Sequence, residues 1–257
     1  MSGRAARVTA VTSGKGGVGK SVLTANLAAA LARQGRRVLV VDADLGLANL
    51  DVLLDLPPSV TLHDVFGGRA PLADALLPGP GGFDVLLAGS GLIEYSRMTL
   101  DLHTQLQALI EQVAPRYDHV LLDTGAGISE VVLYTVSLAT DVLLVATSEP
   151  TSLTDAYATI KVLAGTQGRR SIQLVVNEVR RAGEGRAVHQ QLQRVIDRFV
   201  APAVGAPVTL RWLGEIPADS GVSESVRARR LLVEHWPGSP AAVALASLAT
   251  RLDSAGT

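Results

Sequence analysis

Short apolar runs separated by amphipathic stretches set the pattern of this 257-residue chain. Most of the runs are continuously apolar rather than alternating, which is typical of strands buried on both faces of a parallel sheet. The predicted strands are 7–13, 37–43, 83–89, 119–124, 141–147, 172–178 and 209–214. The predicted helices are 20–34, 99–114, 129–139, 152–165, 184–200 and 239–252. This alternation predicts an α/β fold with a doubly wound, mostly parallel sheet flanked by helices.

The sequence between these elements shows no repeat and no long linker rich in Pro, Gly or Ser. We therefore expect a single domain over 1–257, in which 241–257 forms the final helix and tail. The stretch LPGPGGF (77–83) is predicted to be a surface turn. No apolar run reaches the roughly 18 residues that span a bilayer, and the start of the chain lacks the apolar core of a signal peptide. We expect a cytoplasmic protein.

Composition removes several kinds of site and leaves one charge asymmetry. The chain has no cysteine, which excludes disulfides, thiolate zinc sites and cysteine-ligated iron–sulfur clusters. The net charge is −1, but residues 1–165 hold 11 basic and 16 acidic residues, whereas 166–257 hold 12 and 8. The basic final third either faces an anionic partner or is a solvated surface rich in arginine.

A glycine-rich loop, SGKGGVGKS (13–21), carries the strongest chemical signal. It fits the phosphate-binding pattern G-x-x-x-x-G-K-[ST], with a predicted strand before it and an amphipathic helix after it. Backbone N–H groups of such a loop surround the β-phosphate, Lys20 contacts the β- and γ-phosphates, and the Ser21 hydroxyl ligates Mg²⁺. The expected cofactors are ATP and Mg²⁺. The expected loop contacts are Gly14, Lys15, Gly16, Gly17, Val18, Gly19, Lys20 and Ser21.

The second lysine of the loop, Lys15, has no role in this simple pattern. Only 3 of the 23 basic residues are lysines, and two of them lie in this loop. A compact ammonium group suits a site among phosphate oxygens better than a planar guanidinium does. KGGVGKS resembles the deviant Walker A motif of the MinD/ParA ATPases, which are P-loop NTPases. The resemblance implies an ATP-bound homodimer in which Lys15 reaches the partner's nucleotide, so that both Lys15 and Lys20 are catalytic.

Carboxylates follow two of the predicted strands. In VVDADLGLANLD (40–51), Asp42 would hold Mg²⁺ through water and Asp44 would orient the attacking water. The resemblance implies that Asp44 is the catalytic one. LLDTGAG (121–127) matches a Walker B strand whose Asp123 is an indirect Mg²⁺ ligand. The glycines that follow Asp123 would let the loop move with the γ-phosphate.

Three further segments acquire roles only through the resemblance. Glu149 and Asp155 correspond to positions that meet the partner's lysine or ribose, although both also suit the start of an ordinary helix. Asn177 ends a predicted strand, and Pro217 and Asp219 lie in GEIPAD. In this family such residues frame the adenine.

The resemblance covers about residues 7–252, and three stretches are similar to the FlhG (FleN) branch, which regulates flagellar number. They are 42–56, 123–129 and 149–161. The resemblance implies an ATP-hydrolysing switch that is slow and stimulated by a partner, and that visits the inner membrane or cell pole reversibly. The implied partners are an FlhF-type GTPase, a flagellar transcription activator and flagellar C-ring proteins. It does not extend to the DQAxxLR-type segment usual at the start of that branch, since this chain begins MSGRAAR.

Other members of the family remain alternatives. A MinD-type division-site regulator would bind liposomes strongly through its tail, and a ParA-type partitioning ATPase would bind non-specific DNA in a salt-sensitive way. Specific nucleic-acid binding is not expected, because the basic excess is small. Small-molecule kinases and amidoligases share similar loops but would need a substrate pocket that the motifs do not show.

Two helices have surfaces with open interpretations. The final helix either packs on the core or forms a weak membrane anchor, with one apolar side made of Val243, Leu245, Leu248 and Leu252. Helix 184–200 is predicted to face the core with Val188, Leu192, Val195 and Phe199. Its other side carries a stripe that is either solvated or bound to an anionic partner, made of Arg186, Arg194 and Arg198.

Overall fold

The computed structural model describes residues 6–46, 48–89 and 99–254. Within them, one sheet has the strand order β3-β4-β2-β5-β1-β6-β7-β8. The strands are β1 Arg7–Ser13, β2 Val38–Ala43, β3 Leu76–Pro78, β4 Asp84–Leu86, β5 His119–Ala126, β6 Asp141–Thr147, β7 Ser171–Val179 and β8 Thr209–Pro217. β3 pairs with β4 in the antiparallel sense, and the other neighbours are parallel. The mostly parallel sheet is confirmed.

Helices cover both faces of this sheet. They are α1 Lys20–Arg33, α2 Leu50–Leu54, α3 Leu62–Phe66, α4 Leu72–Ala75, α5 Leu100–Val113, α6 Glu130–Ser137, α7 Pro150–Thr166, α8 Glu184–Val195, α9 Ala201–Val204, α10 Ser220–Arg227, α11 Leu232–His235 and α12 Pro240–Ser254. One core joins the sheet to α5, α6, α7 and α8. The second joins the opposite face to α1, α11 and α12. The doubly wound α/β fold is therefore confirmed.

Parallel pairing decides where the functional loops meet. β1 lies between β5 and β6, and β2 lies on the far side of β5. The carboxyl ends of these four strands share one edge of the sheet, so the segments that follow them lie side by side. The register places Asp42 of β2 beside Asp123 of β5.

The segment 77–83 is more ordered than predicted. Residues 76–78 form β3, and Pro80–Gly82 form a 3-10 turn rather than a simple surface loop. The sequence hid this strand because it is three residues long and ends in proline, which is tolerated at the edge of a sheet. Short helices such as α2, α3 and α4 were also missed, because fewer than two turns show no apolar period.

The predicted core faces of α8 and α12 were only partly correct: Phe199 and Val243 are exposed, and Val195 is half-buried. Residues 196–200 form a π-helix, whose wider turn buries Ile196 and Val200 and leaves Phe199 53% exposed. In α12, Leu245 is buried whereas Val243 is 57% exposed. Two residues apart on an α-helix lie about 200° apart, so these two side chains point in opposite directions.

The rest of the apolar face of α12 is covered. Leu245, Leu248 and Leu252 are buried in the core that contains α1, and α12 also packs on β8. The core-packing interpretation of this helix is confirmed for Pro240–Ser254. In the described ranges, no helix combines the length and apolar character needed to cross a membrane.

Candidate nucleotide-binding site

The glycine-rich loop, residues 14–19, joins β1 to the first turn of α1. Gly17 and Gly19 have φ values of 78° and 90°, a left-handed conformation that side chains other than glycine rarely adopt. Gly19 is the residue immediately before α1, and its carbonyl accepts the N–H of Leu23 at 2.9 Å. The loop thus presents its backbone and the positive end of α1 to the same place, which favours an anion.

Neighbouring elements hold this loop closely on two sides. A Cβ added at Gly14 would lie 2.2 Å from the carbonyl oxygen of Asp155 in α7. A Cβ added at Gly19 would lie 2.6 Å from Nδ2 of Asn177, which donates to the carbonyl of Val18 at 2.8 Å. The loop is therefore held between α7 and the end of β7. The Asp155 backbone requires glycine at Gly14, whereas the positive φ favours glycine at Gly19.

Two buried carboxylates lie at the centre of the edge. Asp42 and Asp123 are 1% and 2% exposed and occupy paired positions on β2 and β5. Burial, and then the charge of Asp123, raises the pKa of Asp42 well above its ordinary value. Burial raises the pKa of Asp123 to about 6. Oδ1 of Asp42 accepts the N–H of Asp44 at 3.3 Å, whereas Oδ2 is buried without a hydrogen-bond partner among the described residues.

Positive charge and hydroxyls oppose the cost of burying Asp123. The Ser21 hydroxyl, the Lys20 ammonium and the Thr24 hydroxyl each lower its pKa, in that order. Burial in turn lowers the pKa of Lys20, and the charges of Asp123 and Asp44 oppose that change. The mutual attraction of Lys20 and Asp123 therefore favours the charged form of each, but burial outweighs it, so the pKa of Lys20 stays lowered and that of Asp123 stays raised.

Asp44 lies at the wall of a cavity of about 700 Å³. The cavity is bounded by the glycine-rich loop, by residues 43–46, by the end of β5 including Gly125, and by residues 129–132. A Cβ on Gly125 would lie 3.3 Å from Oδ1 of Asp44, so this glycine lets the two segments meet. Leu45 and Ala48 fix the Asp44 segment, because both are buried in a small apolar cluster.

The donor set at this edge fits Mg²⁺. Within the described ranges, no three His, Cys, Asp or Glu side chains form a metal-binding group. Mg²⁺ does not require one, because it commonly uses one or two carboxylates together with water and substrate phosphates. The unpartnered Oδ2 of Asp42, the Asp123 carboxylate and the Ser21 hydroxyl supply hard oxygen donors beside the loop.

Lys15 extends away from this cavity and is not among the described residues that line it. Its ammonium donates to Oε2 of Glu149 at 2.7 Å and to Oγ1 of Thr151 at 3.0 Å. Its side chain is 37% exposed, and that of Glu149 is 62% exposed. The charge of Lys15 lowers the pKa of Glu149. Within one chain, the Lys15 ammonium donates to Glu149 and Thr151, whereas Asp155 approaches the loop at Gly14.

A second cavity, of about 480 Å³, opens on the other side of Gly19. Its described lining includes Asn177, Pro217 and Asp219, the three residues that the resemblance assigns to the adenine. The side chain of Asp219 is already engaged: its two carboxylate oxygens accept the N–H groups of Gly221 at 2.8 Å and Ala241 at 3.0 Å. Asp219 therefore shapes the cavity by capping α10 and holding the start of α12.

A single family of known proteins matches the glycine-rich loop together with most of the chain around it. The profile described as "CobQ/CobB/MinD/ParA nucleotide binding domain" matches residues 9–232. The chain belongs to this family. The MinD/ParA resemblance expected from the loop is thereby confirmed.

Relatives within the MinD/ParA group include flagellar proteins. "Antiactivator FleN" of Pseudomonas aeruginosa is 43% identical over 248 residues, which cover 96% of this chain and 86% of that protein. "Flagellum site-determining protein YlxH" of Helicobacter pylori is 34% identical over 232 residues, which cover 87% of this chain and 74% of that protein. The predicted likeness to the flagellar branch is confirmed by these relatives.

A solved MinD structure shows the same architecture. The septum site-determining protein MinD of Pyrococcus horikoshii, complexed with Mg-ADP, is similar with a TM-score of 0.78 and 28% identity. The match covers 98% of this chain and 97% of that chain. The P-loop fold expected from the sequence is therefore that of the MinD/ParA proteins.

Two hydroxyls at the site escaped the sequence interpretation. Thr24 reaches Asp123 from the second turn of α1, and Thr151 shares Lys15 with Glu149. Thr24 lies four residues after Lys20, so helical spacing places both on one face of α1. That spacing was a usable signal for Thr24. No motif marks Thr151, because its contact depends on the register of β1 beside β6.

Proposed function

We propose that this protein is an ATP-hydrolysing switch that dimerises with ATP and regulates flagellar number or placement, as an FlhG-like member of the MinD/ParA family. The observation that carries the proposal is the division of labour between the two loop lysines. Lys20 lies at the phosphate cavity beside Asp123. Lys15 lies outside that cavity at the partly exposed rim. A phosphate-binding lysine that its own cavity does not use is suited to a partner's nucleotide.

The loop, Lys20 and Ser21 would bind the phosphates, and Ser21, Asp42 and Asp123 would hold Mg²⁺ directly or through water. The metal ion would neutralise charge on the β- and γ-phosphates. Asp44 would orient the attacking water from the cavity wall, where its segment meets Gly125. Movement of the glycine-containing segment after β5 would then follow the loss of the γ-phosphate.

The second cavity is the proposed adenine site. Asn177 fixes the loop through Val18 and lines the cavity, so the same side chain would join base binding to phosphate binding. Pro217 and Asp219, which caps α10, would form the opposite wall of the cavity. The two cavities meet at Gly19 and Val22, which line both. A nucleotide would therefore lie across the start of α1.

Dimer formation would exchange the partners of Lys15. In the single chain, Glu149 and Thr151 hold its ammonium at the rim. This ion pair is exposed to solvent, so its strength is limited and the exchange is not costly. In the dimer, Lys15 would contact the partner's phosphates, and Glu149 and Asp155 would face the partner's lysine or ribose. Hydrolysis would be slow without a stimulating partner, because a switch of this kind keeps its ATP-bound state until the partner arrives.

The biological role rests on the flagellar relatives. The name of YlxH connects that protein with the site of the flagellum, and the name of FleN describes an antiactivator. For this chain we propose the same setting, with an FlhF-type GTPase, a flagellar transcription activator or C-ring proteins as partners. The proposed location is the cytoplasm, with reversible visits to the inner membrane or cell pole.

Light scattering with parallel hydrolysis assays tests the switch. Molar mass is measured with ADP and with ATP, in the parent protein and in Asp44→Ala, which should retain ATP. We expect monomers with ADP and stable dimers of Asp44→Ala with ATP. Adding Lys15→Ala to that variant should abolish the dimer. Adding Lys161→Ala, which removes an exposed lysine on α7, should leave it intact.

A protein that binds ATP yet stays monomeric would refute the dimer mechanism. Fast turnover that is independent of protein concentration would contradict a partner-controlled switch. ATP-dependent, salt-sensitive binding to non-specific DNA would favour the ParA alternative, and strong ATP-dependent liposome binding would favour the MinD alternative.

A further inference from the structure

Thr24 is a buried hydroxyl that faces the centre of the site. It lies in α1, one turn after Lys20, and is 0% exposed. Its Oγ1 lies 2.9 Å from the carbonyl oxygen of Lys20 and 3.2 Å from Oδ1 of Asp123. A hydroxyl carries one proton, so Thr24 donates to one of these acceptors at a time. The side chain therefore joins the first turn of α1 to the carboxylate at the end of β5.

The other groups that support Asp123 have competing duties. Ser21 and Lys20 oppose the cost of burying its charge, and both would be recruited by the nucleotide in the proposed function. Thr24 lies behind them and is not among the described residues that line either cavity. Its contact with Asp123 is thus the one of the three that a bound nucleotide would leave in place.

We propose that Thr24 is a positioning residue for the Mg²⁺ site, whose hydroxyl keeps the Asp123 carboxylate in one orientation while Ser21 and Lys20 engage the nucleotide. This inference rests on the proposed Mg²⁺ role of Asp123. Groups behind a metal-binding residue commonly set its orientation, and their loss costs about 10-fold or more in metal affinity. Because Thr24 lines neither of the described cavities, the metal-free affinity for nucleotide should not depend on this hydroxyl.

The alternative is that the Thr24 hydroxyl only stabilises α1 and does not affect the Mg²⁺ site. Threonine in a helix often donates to the carbonyl four residues earlier, and Thr24 also does so with Lys20. Thr135 supplies the matched case: it is 1% exposed in α6 and its hydroxyl donates to the carbonyl of Val131 at 2.9 Å. Among the described residues, no carboxylate accepts a hydrogen bond from the Thr135 hydroxyl. Replacing either threonine by valine keeps the shape and removes the hydroxyl.

The experiment separates metal binding from nucleotide binding. Affinity for a fluorescent ADP (mant-ADP) is measured first in EDTA and then during a Mg²⁺ titration, for the parent, Thr24→Val, Thr24→Ser and Thr135→Val. For Thr24→Val we expect mant-ADP affinity in EDTA within about twofold of the parent, and a Mg²⁺ requirement raised about 10-fold. Thr24→Ser should return the Mg²⁺ requirement most of the way to the parental value, and Thr135→Val should have the parental Mg²⁺ requirement.

Three outcomes would overturn the inference. The first is a parental Mg²⁺ requirement in Thr24→Val, and the second is an equal loss of mant-ADP affinity with and without Mg²⁺. The third is a failure of Thr24→Ser to recover. Thr24→Ala is measured in the same way if the valine variant does not fold. Asp123→Asn distinguishes failure of the Mg²⁺ role of Asp123 from failure of the Thr24 inference. A parental Mg²⁺ requirement in Asp123→Asn would refute the Mg²⁺ role itself. A changed Mg²⁺ requirement in Asp123→Asn, together with a parental one in Thr24→Val, would refute the Thr24 inference alone.

Discussion

Replacing Gly14 by alanine should separate the phosphate loop from α7. The added Cβ would lie 2.2 Å from the carbonyl oxygen of Asp155, 2.3 Å from its carbonyl carbon and 2.8 Å from its Cβ. Ordinary contacts begin at 3.4 Å, so the two segments must move apart by about 1.2 Å, the difference between 3.4 and 2.2. Backbone atoms in the middle of a helix cannot turn aside as a flexible side chain would.

The magnitude follows from the nature of this obstacle. Overpacking in a well-packed region costs roughly 1–3 kcal/mol, and a rigid helix places this case near about 3 kcal/mol. For a chain of this size, each kcal/mol lowers Tm by about 2–4 °C, so Gly14→Ala should unfold about 6–12 °C below the parent. The displaced loop should also lose ADP affinity by about 10-fold or more, since tenfold corresponds to only about 1.4 kcal/mol.

Gly16→Ala is the matched control. Like Gly14, it lies in the loop without a positive φ, but its added Cβ would meet only the Cβ of Ala126, at 3.9 Å. Thermal unfolding of the two variants without nucleotide measures the steric effect alone, and mant-ADP titration of Gly14→Ala measures its functional consequence. A Gly14→Ala protein that unfolds within about 2 °C of Gly16→Ala would refute the close approach between loop and α7.

Two further predictions concern burial. Leu245→Ala should lower the free energy of unfolding in urea by about 2–5 kcal/mol, whereas Val243→Ala should change it by less than about 0.5 kcal/mol; equal effects would contradict the packing of α12. Without nucleotide, the free energy of unfolding of Asp123→Asn should increase relative to that of the parent as the pH rises from 4 to 7. The folded pKa of about 6 exceeds the ordinary 3.8, so the parent's folded state binds the extra proton in that window and loses stability as the pH rises through it. The gap of about 2 units corresponds to up to about 3 kcal/mol, measured by urea denaturation across pH; a constant difference between the two proteins would argue against a buried, ionising Asp123.

The fold was predictable wherever one physical rule dominated. Continuous apolar runs located the parallel strands, and the bounds of β1, 7–13, agree with the structure. The rule lost its power where elements were short or irregular. The π-helix at 196–200 could not be read from spacing, because the sequence shows a 3.6-residue period until the wider turn displaces Phe199.

The site was predictable in its residues but not in its side-chain contacts. Spacing and strand ends brought Lys20, Asp42 and Asp123 to one edge, where the structure places them. The contact between Lys15 and Glu149 depends on β1 and β6 lying side by side, which no local motif specifies. The contact between the Thr24 hydroxyl and Asp123 could not be predicted for the same reason, since the two residues lie 99 positions apart in the sequence. Helical spacing marks only the face of α1 that Thr24 shares with Lys20.

The position of β1 in the sheet also governs the order of events during synthesis. The strand that carries the phosphate loop leaves the ribosome before its neighbours in the sheet, because Arg7 pairs with His119 and Thr9 with Asp141. At about 5–20 residues per second, those partners emerge roughly 6 to 25 seconds later. Asp155, whose backbone lies against Gly14, is made later still. Nucleotide in the cell therefore cannot protect the nascent chain through this loop until synthesis has passed Asp155.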